Sequence, residues 1–451
     1  MKKFLALVLA LCMVLALCAC GSQTATEAAP AAAEEAAPAA AEEAAPAAAE
    51  AAGSVYWLNF KPESDEDLQT LAARYTEETG VPVKVVTAAS GTYNETLTAE
   101  MDKSAAPTLF VVGNSAAVDT WGEYCYDLTG TAVANELNTD AYNLYDADGK
   151  LCSIGYCYES IGIIVNTALL EQAGHSLDEI KNFDGLKAVV EDIHANADTL
   201  GFDAFTSSGM DSSSSWRFTG HLVNVDFYYE ARDDGWEAGP CPETITGAYL
   251  ENFKNLWDLY INNSAYDPSE LATGGFDAEN EFVSGQAVFY QNGSWEYGAC
   301  SVLGDENLAM IPFYCGVEGE EKAGLNCGTE NCWAVNANAS DEDIQATLDF
   351  MYWLVTDQDA SALLNNTWGA LPYTHAATSD NKFLAAANDY ANDGCYVMTW
   401  AFNYEPNVDE YRAGLVSALN AYDADQSDAN WATVETAFVQ GWATQYQAAN
   451  G

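Results

Sequence analysis

Val55 to Val86 reads VYWLNFKPESDEDLQTLAARYTEETGVPVKVV, and its hydrophobic periodicity decides the fold class. Val55–Phe60 is a run of β-prone and aromatic residues and predicts a strand. Leu68, Leu71, Ala72 and Tyr75 then recur at helical spacing, which predicts a helix over Asp65–Gly80. Ser64 with Asp67 three residues on fits its start, and Gly80 its end. Val81–Val86 is a second strand. A helix from Tyr93 to Lys103 leads into a third apolar run, Pro107–Val112. Strand, helix, strand, helix, strand is the opening of a doubly wound α/β sheet. Such sheets bind ligands past the carboxyl ends of their strands. Asn59 and Lys61 after the first strand, and Asn114 and Ser115 after the third, are therefore candidate ligand-binding residues.

Composition narrows the function classes. Against 68 Asp+Glu stand 15 Lys+Arg, a formal charge of −53, and no basic stripe compensates. A surface this acidic repels phosphate backbones, so no nucleic-acid partner is expected. The chain from Ser54 onward, with 12% aromatic and 49% hydrophobic residues overall, is long enough for two packed domains.

Phe282 to Tyr297, FVSGQAVFYQNGSWEY, carries a second informative pattern. Ala287–Tyr290 predicts a buried strand, and Asn292-Gly293 predicts a sharp turn that brings Ser294 and Trp295 out at its carboxyl end. Phe-x-x-Gly-small-Ala, a short apolar run and Gly-Ser-Trp resemble the signature of extracellular solute-binding proteins of ABC importers, the sugar-binding branch above all. Thr79-Gly80-x-x-Val83, the Ala106–Phe110 stretch, Glu159-Ser160 before Ile163–Asn166, and Gly369-Ala370-Leu371-Pro372 resemble elements of the same family in the same order. The resemblance runs from Ser54 to Gln447. It implies a periplasmic-binding-protein-like fold, two doubly wound α/β lobes joined by crossover hinge segments. Lobe 1 would be 54–157 and 311–356, lobe 2 158–310 and 357–451, with hinges near Tyr158, Met310 and Thr356. It also implies that Tyr156, Tyr158 and Glu159 face the cleft, that Trp216 covers a ligand from the second lobe with Arg217 as polar partner, and that Trp295, Trp368 and Trp400 are further candidate ligand contacts. Leu177–Glu230 reads as helical apart from a Ser-rich loop at 207–215, and Trp257 reads as structural.

The amino-terminal residues read as an export signal. Met1-Lys2-Lys3 is basic, and Phe4–Leu17 is apolar but too short to span a bilayer comfortably. Leu17-Cys18-Ala19-Cys20 resembles a lipobox, with Cys20 the lipidated residue, so 1–20 would be the signal peptide. Residues 21–53, with the repeat AAPAAAEE, read as a solvated spacer that proline keeps from forming one long helix. Nine cysteines lie beyond the leader, an odd number, with pairing unassigned. No metal or cofactor is expected, since the cysteines lack partnering histidines.

These readings together predict a monomeric receptor, lipid-anchored on the outer, extracytoplasmic face of a bacterial cell membrane. It would capture a carbohydrate, an oligosaccharide by expectation, and deliver it to the permease subunits of an ABC importer, without catalysis. A polyamine or other small solute in the same fold is the first alternative. A surface glycosidase, which would need two carboxylates flanking the sugar, is the second.

Overall fold

The computed structural model describes residues 53–211, 214–236 and 241–450; the leader, Cys20 and the spacer up to residue 52 lie outside them. Among the described residues no helix is long and apolar enough to cross a membrane. The described residues contain twelve strands: β1 (Val55–Asn59), β2 (Val83–Thr87), β3 (Leu109–Val111), β4 (Leu144–Tyr145), β5 (Leu151–Gly155), β6 (Glu159–Asn166), β7 (Asp203–Phe205), β8 (Ala287–Gly293), β9 (Leu308–Ile311), β10 (Ala323–Gly328), β11 (Cys332–Val335) and β12 (Tyr396–Thr399). They form two sheets, ordered β2-β1-β3-β11-β5-β4 and β12-β10-β6-β8-β7, with β9 also paired to β6.

The opening of the chain folds as its periodicity requires. β1 lies between β2 and β3, parallel to both. The intervening helix, Asp65–Thr79, buries Leu68, Leu71, Ala72 and Tyr75, and ends on Gly80 in the left-handed region at φ 78°. Ser64 does not cap that helix with its side chain. Pro62–Ser64 is already a 3-10 turn, and the Ser64 hydroxyl donates to the Lys61 carbonyl at 2.8 Å. Both sheets are mixed. β11 runs antiparallel to β3 and β5, and β6 antiparallel to β8, β9 and β10. β6 and β11 adjoin passages from one sheet to the other, whereas β4, antiparallel to β5, is an edge strand within the first sheet.

Those passages set the lobes. β5 in the first sheet leads through residues 156–158 into β6 in the second. The return differs from expectation. Met310 lies inside β9, which pairs with β6, and β10 belongs to the second sheet too, so the chain crosses back at 329–331. The last passage also falls later than Thr356. Helix Gln358–Thr367 and the residues to Tyr373 pack in the first lobe's core through Ala360, Leu364, Trp368, Leu371 and Tyr373. The three connections touch: Tyr156 N donates to the Asn331 carbonyl at 2.8 Å, and Tyr158 and Ala370 exchange both backbone hydrogen bonds at 2.7 and 3.0 Å. The segment expected to be helical from Leu177 contains β7, a short strand parallel to β8.

Candidate functional site

Between the two sheets' facing ends lies a cavity of ≈ 240 Å³. The first lobe lines it with Phe60, Lys61, Glu63, Asn94, Asn114 and Trp121; the second contributes Trp216, His221, Trp295, Trp400, Phe402 and Arg412. Across its mouth Asn94 Nδ2 donates to Asp409 Oδ2 at 3.1 Å, joining helix Tyr93–Met101 to helix Val408–Ala424.

The second lobe's wall is aromatic and centres on His221. Its ring lies 5.1 Å from Trp216, 5.5 Å from Trp295, 5.8 Å from Trp400 and 5.1 Å from Phe402. Trp216 and His221 are five residues apart and would lie on different sides of an α-helix. Here Arg217–Leu222 is a π-helical turn, whose wider winding brings positions i and i+5 together, as such turns do at functional sites. His221 is buried and its Nδ1 has no hydrogen-bond partner. Burial, with Arg412, Arg217 and Lys61 nearby, holds it well below the ordinary imidazole value, so the ring is neutral. Trp400 Nε1 and Asn403 Oδ1 are likewise buried without partners beside the cavity. A ligand hydroxyl can accept from the indole, donate to Asn403 Oδ1, and donate to or accept from His221 Nδ1 according to the imidazole tautomer.

Glycines make room for these rings. Gly293 is extended, φ −119° and ψ 179°, and so does not form the sharp turn expected of it. A Cβ there would stand 2.1 Å from the Trp295 ring, which folds back over the glycine. Ser294 between them is buried: its Oγ accepts from Ser160 N at 3.1 Å, and its carbonyl from Asn381 Nδ2 at 2.8 Å. Gly-Ser-Trp is thus a unit of clearance, strand tie and cavity wall. Gly328 plays Gly293's part for Trp400, with a Cβ there 2.8 Å from the ring.

The polar side is organised by Lys61. Its Nζ meets Glu159 Oε1 at 2.7 Å and Glu63 Oε1 at 2.9 Å, and lies 5.6 Å from the Trp295 ring. Glu159 Oε2 accepts from Asn331 Nδ2 at 2.6 Å. Burial pushes the Glu159 carboxyl up to about 7, with Lys61 opposing the rise. Burial alone would lower Lys61, but Glu159 and then Glu63 raise it, so it stays charged. Arg412 Nε donates to the buried Glu405 at 2.5 Å.

Lys61, Asn114, Glu159, Trp216, Trp295 and Trp400 are therefore brought together, as candidate cleft residues should be. The other candidates lie elsewhere. Asn59 is buried and brackets the turn after β1, accepting from Lys61 N at 3.0 Å and donating to the Lys61 carbonyl at 2.6 Å; it positions Lys61. Ser115 is exposed on the helix that Asn114 caps through Ala117 N. Tyr156 and Trp368 belong to the first lobe's core, where Tyr156 stacks on Trp333 at 4.8 Å and Trp368 meets Trp57 edge-on at 5.8 Å. Large rings bury most area there, and the sheet's underside needs that volume filled. Arg217 spends its guanidinium on the carbonyls of Gln291, Ser207 and Ser208, at 3.0, 3.3 and 3.2 Å. It borders a separate cavity of ≈ 290 Å³ behind Trp216. His221, Phe402, Asn403, Arg412 and Trp121 were not legible as site residues.

Residues 70–394 match the family described as bacterial extracellular solute-binding protein. No curated protein matches the chain. Among solved structures, RafE in complex with raffinose aligns over 88% of this chain and 100% of its own, at 16% identity and a TM-score of 0.67; an unliganded form of RafE is from Streptococcus pneumoniae. A chitin oligosaccharide binding protein aligns over 88% and 99% at 16% identity, TM-score 0.64. Maltose-bound MalE3 of T. maritima aligns over 88% and 99% at 17% identity, TM-score 0.62. At these identities the likeness is one of fold.

Proposed function

Since this chain belongs to the bacterial extracellular solute-binding proteins, we propose that the solute it captures is a carbohydrate, held between the lobes and delivered to the permease of an ABC importer. The observation that carries this reading is the aromatic wall of Trp216, Trp295, Trp400 and Phe402 around a neutral His221, facing Asn94, Asn114 and Lys61 across the cavity. Flat rings supply contact to the C–H faces of a sugar, and the unpartnered His221 Nδ1, Trp400 Nε1 and Asn403 Oδ1 supply hydroxyl partners. The names of the similar structures, which mention raffinose, chitin oligosaccharide and maltose, agree with an oligosaccharide. In this reading the protein binds and does not catalyse, the lobes close by hinge motion at the three adjacent crossings, and Cys20 carries the lipid that holds the receptor at the outer membrane face.

A di- or polyamine is the second reading, favoured by Glu63, Glu330 and Asp409 at the cavity. Against it, Lys61 already neutralises Glu159 and leans on Glu63. The experiment is a calorimetric titration of the full-length protein with raffinose, maltose, chitin oligosaccharides and spermidine, followed by chromatography of the ligand. Saturable binding of one sugar series with the sugar recovered intact supports the proposal. Binding of spermidine alone, or cleavage of the sugar, overturns it.

Within this reading Gly293→Ala tests the wall directly. The new Cβ must displace the Trp295 ring, and losing one well-placed aromatic contact is worth about a tenfold drop in affinity. Trp295→Ala should weaken binding at least as much. Unchanged affinity in Gly293→Ala would remove Trp295 from the ligand.

A further inference from the structure

Two rings of the cavity wall lie over glycines, Trp295 over Gly293 and Trp400 over Gly328, and a charged group does the same. A Cβ on Gly220 would stand 2.7 Å from Arg412 Nη2 and 2.9 Å from its Cζ. Gly220 belongs to the π-helical turn Arg217–Leu222, next to His221, and Arg412 to helix Val408–Ala424. The glycine therefore lets the guanidinium settle on the turn that carries His221. One edge of that guanidinium is anchored: Nε donates to Glu405 Oε2, whose side chain is fully buried. The other edge is open. Arg412 lines the cavity, and its Nη1 and Nη2 make no hydrogen bond among the described residues. Its Cζ lies 5.7 Å from the Phe402 ring, which itself lies 5.1 Å from Trp400. The cleft's other cation, Lys61, is occupied by Glu159 and Glu63.

We propose that Arg412 determines which sugar the cleft accepts, its Nη1 and Nη2 donating to two neighbouring hydroxyl oxygens of a neutral sugar ring that packs against Trp400 and Phe402. This inference rests on the carbohydrate reading of the cavity. A guanidinium presents coplanar N–H groups in a rigid fork, which fits two oxygens held side by side as a lysine cannot. A carboxylate would fit the same fork, but Glu405, Glu330 and Asp409 already surround the cation with negative charge, and a further anion would be repelled. A sugar that lacks either hydroxyl leaves a donor of a charged group unpaired in the cavity, and that makes the pair selective. Hydrogen bonds to Asn403 and to the neutral His221 discriminate less, because neither is charge-assisted.

The test is calorimetric titration of the full-length protein, of Arg412→Lys and of Gly220→Ala with raffinose, maltose, chitin oligosaccharides and a galacturonate oligomer. Gly220 is not in the left-handed region, and its new methyl meets the end of a flexible side chain, so Gly220→Ala should melt as the parent does. Lysine keeps the charge facing Glu405 and loses the fork. Each variant is expected to bind the sugar about tenfold more weakly, the worth of a charged hydrogen bond. Monodeoxy derivatives of the bound sugar give a readout that a purely structural role would not move. Removing either of two adjacent hydroxyls should weaken binding about tenfold in the parent and hardly at all in Arg412→Lys. A sugar bound with the same affinity by the parent and both variants overturns this inference alone. So does tighter binding of the galacturonate. Binding of none of the neutral sugars overturns the carbohydrate reading and this inference with it.

Discussion

Lys61→Met is expected to cost about 3–5 kcal/mol of folding stability at pH 8 and much less at pH 5. Lys61 lies two residues past the end of β1 in the first sheet, and its partner Glu159 opens β6 in the second, so the 2.7 Å pair spans the hinge. Both side chains are buried, at 5% and 3% exposure, and water cannot replace either partner. Removing the ammonium leaves Glu159 with one neutral donor, Asn331 Nδ2, in a site that already pushes its carboxyl up to about 7 with the lysine in place. Without it the value rises further. The folded value then lies above the unfolded one, so the folded state binds the extra proton. Glu159's contribution is intact below the ordinary carboxylate range and is lost as pH rises through the raised folded value. Urea unfolding of the variant at pH 5, 6.5 and 8 should show the deficit growing with pH. The double variant Lys61→Met/Glu159→Gln should recover most of it, since a buried neutral pair carries no unpaired charge. A deficit equal at all three pH values, or no recovery, would sink the argument. Because the pair joins the lobes, the single variant should also bind ligand more weakly at pH 8 than the double variant does.

The contrast between Lys61 and the tryptophans shows where sequence reading stops. Position after a strand's carboxyl end was enough to place Lys61 and Asn114 at the cavity, because the switch-point geometry follows from the topology and the topology from the periodicity of 55–112. The tryptophans carry no such address. Trp57, Trp333 and Trp368 fill the first lobe's core while Trp216, Trp295 and Trp400 line the cavity, and nothing local to each residue separates the two sets. For Trp295 a signal did exist in Gly293, two residues before it; for Trp400 the matching glycine, Gly328, is distant in the chain. His221 was hidden by its backbone, because aligning with Trp216 at a spacing of five requires a π-helical turn that helical periodicity does not announce. The crossings were misplaced for a related reason. β10, AGLNCG, carries two glycines and an asparagine and reads poorly as a strand, so the expected return to the first lobe near Met310 falls too early, before the observed crossing at 329–331. Arg412 reaches the site from helix Val408–Ala424, whose apolar spacing speaks only for its buried face.

Far from the cavity, Asp423→Asn is expected to stabilise the protein by about 1–2 kcal/mol at pH 8.5 and not at all near pH 4. Asp423 sits in the last turn of helix Val408–Ala424, where the helix dipole disfavours negative charge, and it is 3% exposed. Trp257 Nε1 donates to Oδ1 at 3.0 Å, but Oδ2 is buried without a partner. Burial pushes the carboxyl up to about 8, with Asp258 adding to the rise and the Trp257 hydrogen bond opposing it. The folded value is thus raised above the unfolded one near 3.9. Between those two values the folded state holds a proton that the unfolded state has lost, and stability falls as pH climbs through the window, levelling off above about 8. Asparagine keeps the acceptor that Trp257 needs and removes the ionisation, so its advantage should be absent below the window and full above it. For a lobe of this size the gain corresponds to roughly 2–8 °C in melting temperature at pH 8.5. Melting curves of both proteins from pH 4 to 9 should converge at the acid end and separate toward the alkaline end. Parallel curves would mean that the buried carboxylate is stabilised by something other than protonation, and a variant less stable at pH 8.5 would mean that its charge is required.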